Sequence, residues 1–216
     1  MSVLHGVNAS PFVRKARVAL KEKGIDYELD PVMPMNVSPE YKKISPLGKI
    51  PCYTPKEGLN IPDSSVIIAY LERVKPEPAL YPKDDADFAR ALFLEEYADS
   101  ALVTQAGTVF FNRIVAPMLM QQEGDQNAVK TALEEGLPPL CSWLDEQAKG
   151  KTFLVGDKFS VADIAVTSPF VNLAHAGENV DKSKYPNLAK YLAGTFERPS
   201  IKELIEEEKA FFSQAA

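Results

Sequence analysis

Residues 2–30, SVLHGVNASPFVRKARVALKEKGIDYELD, read as strand, helix, strand. Ser2 to Gly6 is a short first strand. Ser10-Pro11 then opens a helix, since serine suits the N-cap and proline suits the first helical position. Val13, Ala16, Arg17 and Leu20 recur at helical spacing, and Gly24 stops the run. Asp26 to Pro31 reads as a second strand that puts Tyr27 and Leu29 on one face.

Working outward, Pro39 to Ile44 is expected to form one or two helical turns. Pro51 to Thr54 and Leu59 to Ile61 bracket Lys56-Glu57-Gly58, which reads as a hairpin. Asp63-Ser64-Ser65 starts a helix through Ala69, Tyr70 and Leu71. The order is therefore βαβ followed by ββα. The stretch from Val74 to Asp85 holds Pro76, Pro78 and Pro82 and cannot continue a helix. Beyond it every pattern is helical. Asp87 to Met120 is a long run with a bend expected at Pro117, and Ala128 to Lys149 is interrupted by Pro138-Pro139. Val161 to Leu173, Asn187 to Phe196 and Ile201 to Phe212 follow. Strand-and-helix followed by helix alone implies two separately built domains, 1–76 and 87–216, joined by a linker at 77–86.

The chain has 216 residues, 45% hydrophobic and 25% charged, ordinary values for a globular protein large enough to bury a core. Its formal charge of −6 argues against nucleic acid or an anionic membrane as a partner, because both need a basic footprint. Two cysteines, Cys52 and Cys141, make no disulfide framework. The two histidines, His5 and His175, lie far from them in sequence, so no metal-ligand spacing exists. The first residues lack the pattern of a signal peptide, and no apolar stretch approaches the roughly 20 residues that span a bilayer. A reducing cytoplasm is the expected location.

Three segments of the first domain carry possible chemistry. Ser10 stands where strand gives way to helix, beside free N–H groups carrying about half a positive charge. A thiol placed there ionises more easily, and the Ser10 hydroxyl could donate to the thiolate. In Gly48-Lys49-Ile50-Pro51, a cis proline would leave the N–H and C=O of Ile50 facing outward, able to pair with a peptide laid alongside. Lys49 could then meet a carboxylate. In Pro62-Asp63-Ser64-Ser65, the Ser64 N–H and hydroxyl could receive a carboxylate and Asp63 an ammonium. Together these fit the γ-glutamyl end of glutathione. Taken singly, each segment reads more simply as a cap or a strand start; the ordered set of three points to a site.

On SPFVRKARVALKEKGIDYE, SPLGKIPCY, IPDSSVIIAYLE, LYPKDDADFARA and FLVGDKFSVADIAV, the chain resembles the glutathione S-transferase family over essentially its whole length. The SPF context is similar to serine-type members, the plant tau class and many bacterial ones. The resemblance implies a thioredoxin-like N-terminal domain with a mixed four-stranded sheet, followed by an all-α domain. It also implies a cis Pro51, a homodimer and glutathione as co-substrate in detoxification. Carried over, Ser10 matches the catalytic serine, and Phe12, Lys49, Ile50, Pro51, Asp63 and Ser64 match the glutathione site. Ser160 and Asp163 match the family's helix-capping motif, which also reads as a capping-box variant with a folding role. The cysteine of the omega and beta classes is absent at position 10. So is the serine-cysteine motif of the zeta-class isomerase. For the glycine carboxylate of glutathione, Asn36, Lys42 and Lys43 stay open.

Phe110, Phe111 and Ile114, in a stripe of the long helix that continues to Met118, are the expected wall for an apolar electrophile, with Phe12 opposite; core packing is the commoner role of such a stripe. Cys52 and Cys141 read as buried packing, and His5 as structural. His175 is expected just after a helix, near its C-terminal end. At least two of Arg14, Lys15 and Arg17 are expected to face solvent or a partner subunit. The leading function is transfer of glutathione to an apolar electrophile. The alternatives are a glutathione-dependent peroxidase or disulfide reductase, and a non-catalytic binding or regulatory protein on the same fold.

Overall fold

The computed structural model describes residues 1–55 and 58–215. Lys56 and Glu57, at the tip of the expected hairpin, lie outside the described residues. The chain divides into two compact units, Met1–Tyr81 and Pro82–Ala216.

The first unit runs β1 (Ser2–His5), α1 (Pro11–Glu22), β2 (Tyr27–Asp30), α2 (Pro39–Ile44), β3 (Cys52–Thr54), β4 (Ile61–Pro62) and α3 (Ser64–Val74). Its four strands lie in the order β2-β1-β3-β4. β1 and β2 are parallel, joined across α1, while β1–β3 and β3–β4 are antiparallel. This is the mixed sheet of a thioredoxin-like domain. Leu4 faces Tyr53 across the ladder, and both are buried. Val13, Ala16 and Leu20 of α1, with Ile67, Ile68 and Leu71 of α3, complete the core.

Gly24, at φ +56°, ends α1 in a conformation that glycine adopts without strain. Beside it, Lys23 is fully buried. Its ammonium donates to the carbonyls of Lys75 (2.7 Å) and Pro78 (3.0 Å) and pairs with Glu72 at 2.7 Å. All three ammonium hydrogens thus have acceptors, which is what a buried charge requires.

Arg14, Lys15 and Arg17 depart from expectation, being 0%, 1% and 5% exposed. Lys15 Nζ donates to Ser65 Oγ at 3.3 Å and Arg17 Nε to Tyr27 Oη at 2.7 Å. Long cationic side chains can be buried where their heads find such acceptors.

The second unit is helical: α4 (Asp85–Tyr97), α5 (Val103–Phe110), α6 (Ala116–Leu119), α7 (Gln126–Thr131), α8 (Leu137–Ala148), α9 (Val161–His175), α10 (Pro186–Phe196) and α11 (Pro199–Ala215). Single π-helical turns at Ala98–Leu102, Phe111–Val115 and Ala132–Gly136 join α4 to α5, α5 to α6 and α7 to α8. Two of the three fall just before the prolines at 117 and 138-139. A wider turn there accommodates residues that have no N–H to donate.

α9 is buried from Val161 to Leu173 and is packed by α4, α5 and α10. A helix buried on all sides is the core of its unit. His175 is the last residue of α9 rather than beyond it, and its Nε2 lies 2.7 Å from Glu208 Oε2 of α11. Among the described residues no helix is long and apolar enough to cross a membrane, and no cluster of His, Cys, Asp or Glu is arranged to hold a metal.

Candidate glutathione site

At one end of the first unit's sheet, the three sequence-selected segments meet. Ser10 caps α1 with extended backbone (φ −74°, ψ 127°), its Oγ accepting from Val13 N at 3.4 Å. That bond is long for a cap. Pro11, next in the helix, has no N–H. The hydroxyl is half-buried and keeps its proton available at the positive end of a 12-residue helix.

Gly6 connects this helix mouth to the second segment. A Cβ at Gly6, whose φ is +150°, would lie 2.5 Å from Val13 Cγ2 and 3.4 Å from Ile50 Cβ. The first distance is prohibitive and the second an ordinary contact, so it is Val13 that requires a residue without a side chain here. Ile50–Pro51 is a cis peptide, as the family resemblance implied. Among the described residues, neither the N–H nor the C=O of Ile50 engages a hydrogen-bond partner. Pro51 O, one peptide on, accepts from Asp63 N at 3.1 Å, which ties in the third segment.

Asp63 is the N-cap of α3. Its Oδ1 accepts from Ser65 N (2.8 Å) and Val66 N (3.2 Å). Its backbone sits at φ +81°, a region that costs a non-glycine residue of order 1–3 kcal/mol. The cap bonds and the link to Pro51 hold it there. The Asp63 carboxylate is exposed, and Ser64, at the first helical position, is buried. Lys49 is exposed and Phe12 half-buried.

Two buried groups beside this edge, Tyr41 and Cys52, are neutral. Burial pushes the Tyr41 hydroxyl up to about 12, with Cys52 and Asp30 adding to it. Burial also pushes the Cys52 thiol up to about 11. Cys52 Sγ lies 3.4 Å from the Ile44 carbonyl, positioned to donate to the end of α2. It is a packing residue with a local hydrogen bond, and a poor nucleophile.

Two residues absent from the sequence-based selection also belong to this region. Tyr41 Oη and Ser45 Oγ both donate to the Lys49 carbonyl, at 2.9 and 2.7 Å. No local motif signals them, although two hydroxyls four and eight residues before a loop carbonyl are compatible with a short helix folding back over it. Of the glycine-carboxylate candidates, Asn36 takes φ +61°, and Lys42 and Lys43 are exposed on α2.

The electrophile candidates divide. Phe110 is 7% exposed and packs edge-on against Phe212 at 6.0 Å, so it serves the core of the second unit. Phe111 is 42% exposed and Ile114 half-buried.

The model of the glutathione S-transferase N-terminal domain matches residues 4–79, and that of the C-terminal domain matches residues 110–208. An uncharacterised GST-like protein of Escherichia coli strain K12, YibF, is 30% identical over 202 residues, 92% of this chain and 95% of that protein. A probable maleylacetoacetate isomerase of Caenorhabditis elegans is 34% identical over 179 residues, 81% of this chain and 78% of that protein. A glutathione S-transferase of Rhodospirillum rubrum F11, known from its crystal structure, superposes with a TM-score of 0.87 at 25% identity, covering 94% of this chain and 91% of that one. With both domains matched in order across most of its length, the chain belongs to the glutathione S-transferase family.

Proposed function

We propose that the first unit binds glutathione and presents its thiolate to a small apolar electrophile, which makes the protein a glutathione transferase. The observation that carries this reading is the open main chain of Ile50, set against the mouth of α1 through Gly6 and against the start of α3 through the Asp63–Pro51 bond. A peptide laid along Ile50 gains two main-chain hydrogen bonds, as an added strand does. Its γ-glutamyl ammonium would meet Asp63, and its γ-glutamyl carboxylate the N–H and hydroxyl of Ser64. Lys49 would take a carboxylate at the other end.

The cysteinyl sulfur would then lie at the N-terminus of α1. A free thiol has a pKa of about 8.5. The helix end and a hydrogen bond from Ser10 both favour the thiolate over the thiol. The hydroxyl has no base beside it, so its role is donation to sulfur, while the α1 mouth supplies the field. Nucleophile activation and proximity then do the chemistry. Phe12, half-buried beside Ser10, is the proposed apolar contact of the electrophile on the first unit.

The test is turnover of a chlorinated dinitrobenzene with glutathione. Losing a hydrogen bond to a charged sulfur is expected to lower kcat/KM about 10- to 100-fold in Ser10→Ala. Unchanged turnover would remove Ser10 from this role.

The isomerase relative supports a second reading. The same thiolate can add to a conjugated double bond, allow rotation about it, and depart unchanged. Assaying maleylacetoacetate beside the chlorinated substrate separates the two. A homodimer is proposed on the family resemblance, and light scattering on the eluted protein measures it.

A further inference from the structure

The peptide group between Lys49 and Ile50 has one end held and the other, among the described residues, without a hydrogen-bond partner. Its oxygen is the Lys49 carbonyl, held by Tyr41 Oη at 2.9 Å and Ser45 Oγ at 2.7 Å. Its N–H is that of Ile50. In a planar trans peptide the C=O and N–H point in opposite directions. Fixing the oxygen therefore fixes where the Ile50 N–H points. A carbonyl oxygen has two lone pairs, and here two hydroxyls fill both.

We propose that Tyr41 and Ser45 are positioning residues for substrate binding: by clamping the Lys49 carbonyl they aim the Ile50 N–H at the docked peptide. The inference rests on the glutathione reading of the site and adds to it two residues that touch no substrate atom. The clamp is itself well anchored. Tyr41 and Ser45 are 6% and 1% exposed. Tyr41 N donates to Ser38 Oγ at 3.1 Å, Ser45 N to Tyr41 O at 2.9 Å, and Gly48 N to Ser45 O at 2.8 Å. On the far side of Ile50, the Pro51 carbonyl is held by Asp63 N. The docking residue thus sits between two fixed carbonyls. Burial keeps the Tyr41 hydroxyl protonated, and so a donor, throughout the ordinary pH range.

The experiment measures glutathione affinity by titration calorimetry in wild type, Tyr41→Phe, Ser45→Ala and the double variant. It also records the NMR order parameter of the Ile50 amide without ligand. Because the carbonyl keeps one donor in either single variant, each should raise Kd only about threefold, and the double variant about tenfold or more. KM for glutathione should rise likewise, with kcat at saturating glutathione held within about twofold. Ser45→Thr, which retains the hydroxyl, should restore affinity.

A merely structural role would lower the melting temperature and leave both Kd and the Ile50 order parameter where they were. That result in a folded double variant overturns the proposal. If the double variant does not fold, the single variants decide, and unchanged Kd in both overturns it. A wild-type chain that binds no glutathione defeats the reading of the site instead. In that event the Ile50 order parameter, expected to fall in the variants, still judges the clamp.

Discussion

A serine stands at the mouth of both α1 and α9, and the two mouths are built in opposite ways. At α9, the carboxylate of Asp163 is fully buried and accepts four hydrogen bonds. Leu154 N (2.9 Å) and Tyr191 Oη (2.8 Å) donate to Oδ1, and Ser160 N (2.9 Å) and Oγ (3.2 Å) to Oδ2. At α1, Ser10 accepts one long bond, and its helix has no acidic residue in the first turn. The first mouth has its charge supplied from within and is closed. The second has no acidic residue of its own first turn to meet its positive end. A capping serine is thus a folding device where its partners are complete, and a candidate for chemistry where they are not.

The contrast breaks most visibly at Asp163. Burial raises its carboxyl pKa, opposed by bonds from Leu154, Tyr191 and Ser160. Asp163→Asn puts an amide hydrogen where one of those buried donors points. The cost should be about 3 kcal/mol or more, read as a fall in the denaturant midpoint. A change below 1 kcal/mol would mean that the α9 mouth is no better closed than that of α1.

A smaller effect is expected at α10, whose first turn is capped from another helix. Asp145 of α8 accepts from Asn187 N, Leu188 N and Asn187 Nδ2 at 2.8–2.9 Å. Asp145→Ala should cost about 1 kcal/mol. Burial pushes the Asp145 pKa up, but the bonds from Leu188 and Asn187 outweigh it, and the net shift is downward. Its folded pKa therefore lies below the unfolded value of about 3.9. The stabilisation is present above pH 4 and is lost as pH falls through the folded value. The variant should accordingly lose less stability than wild type across that acid window, measured by urea unfolding at stepped pH.

The smallest stability effect should come from Ser10→Ala, at most about 0.5 kcal/mol, since its cap bond is already long. A loss of 2 kcal/mol there would make Ser10 a cap of the α9 kind. Low stability cost combined with lost turnover sharpens the contrast.

Much of this was legible in the sequence because it is local. Ser10-Pro11, Gly24 and the prolines at 76, 78 and 82 set the element order of the first unit, and Ser160-x-x-Asp163 announced its own box. What stayed hidden is long-range. Leu154 and Tyr191 reach Asp163 from 9 and 28 residues away, and Asp145 caps a helix 42 residues on. The two hydroxyls on the Lys49 carbonyl come from a helix too short to carry a pattern and from the residue that caps its end. The burial of Arg14, Lys15 and Arg17 depends on acceptors that no periodicity can locate. β4 also begins two residues later than its apolar run suggested, at Ile61. Ladder pairing with β3 sets that boundary, not residue type.

Gly6 lends the molecule a fragility of an unusual sort. One methyl group at that position would have to push Val13 aside while already touching Ile50. The spacing between the start of α1 and the Ile50 loop is thus gauged, at Gly6, by a hydrogen atom. A substitution there acts through packing alone, at a distance from every exposed side chain of the candidate site.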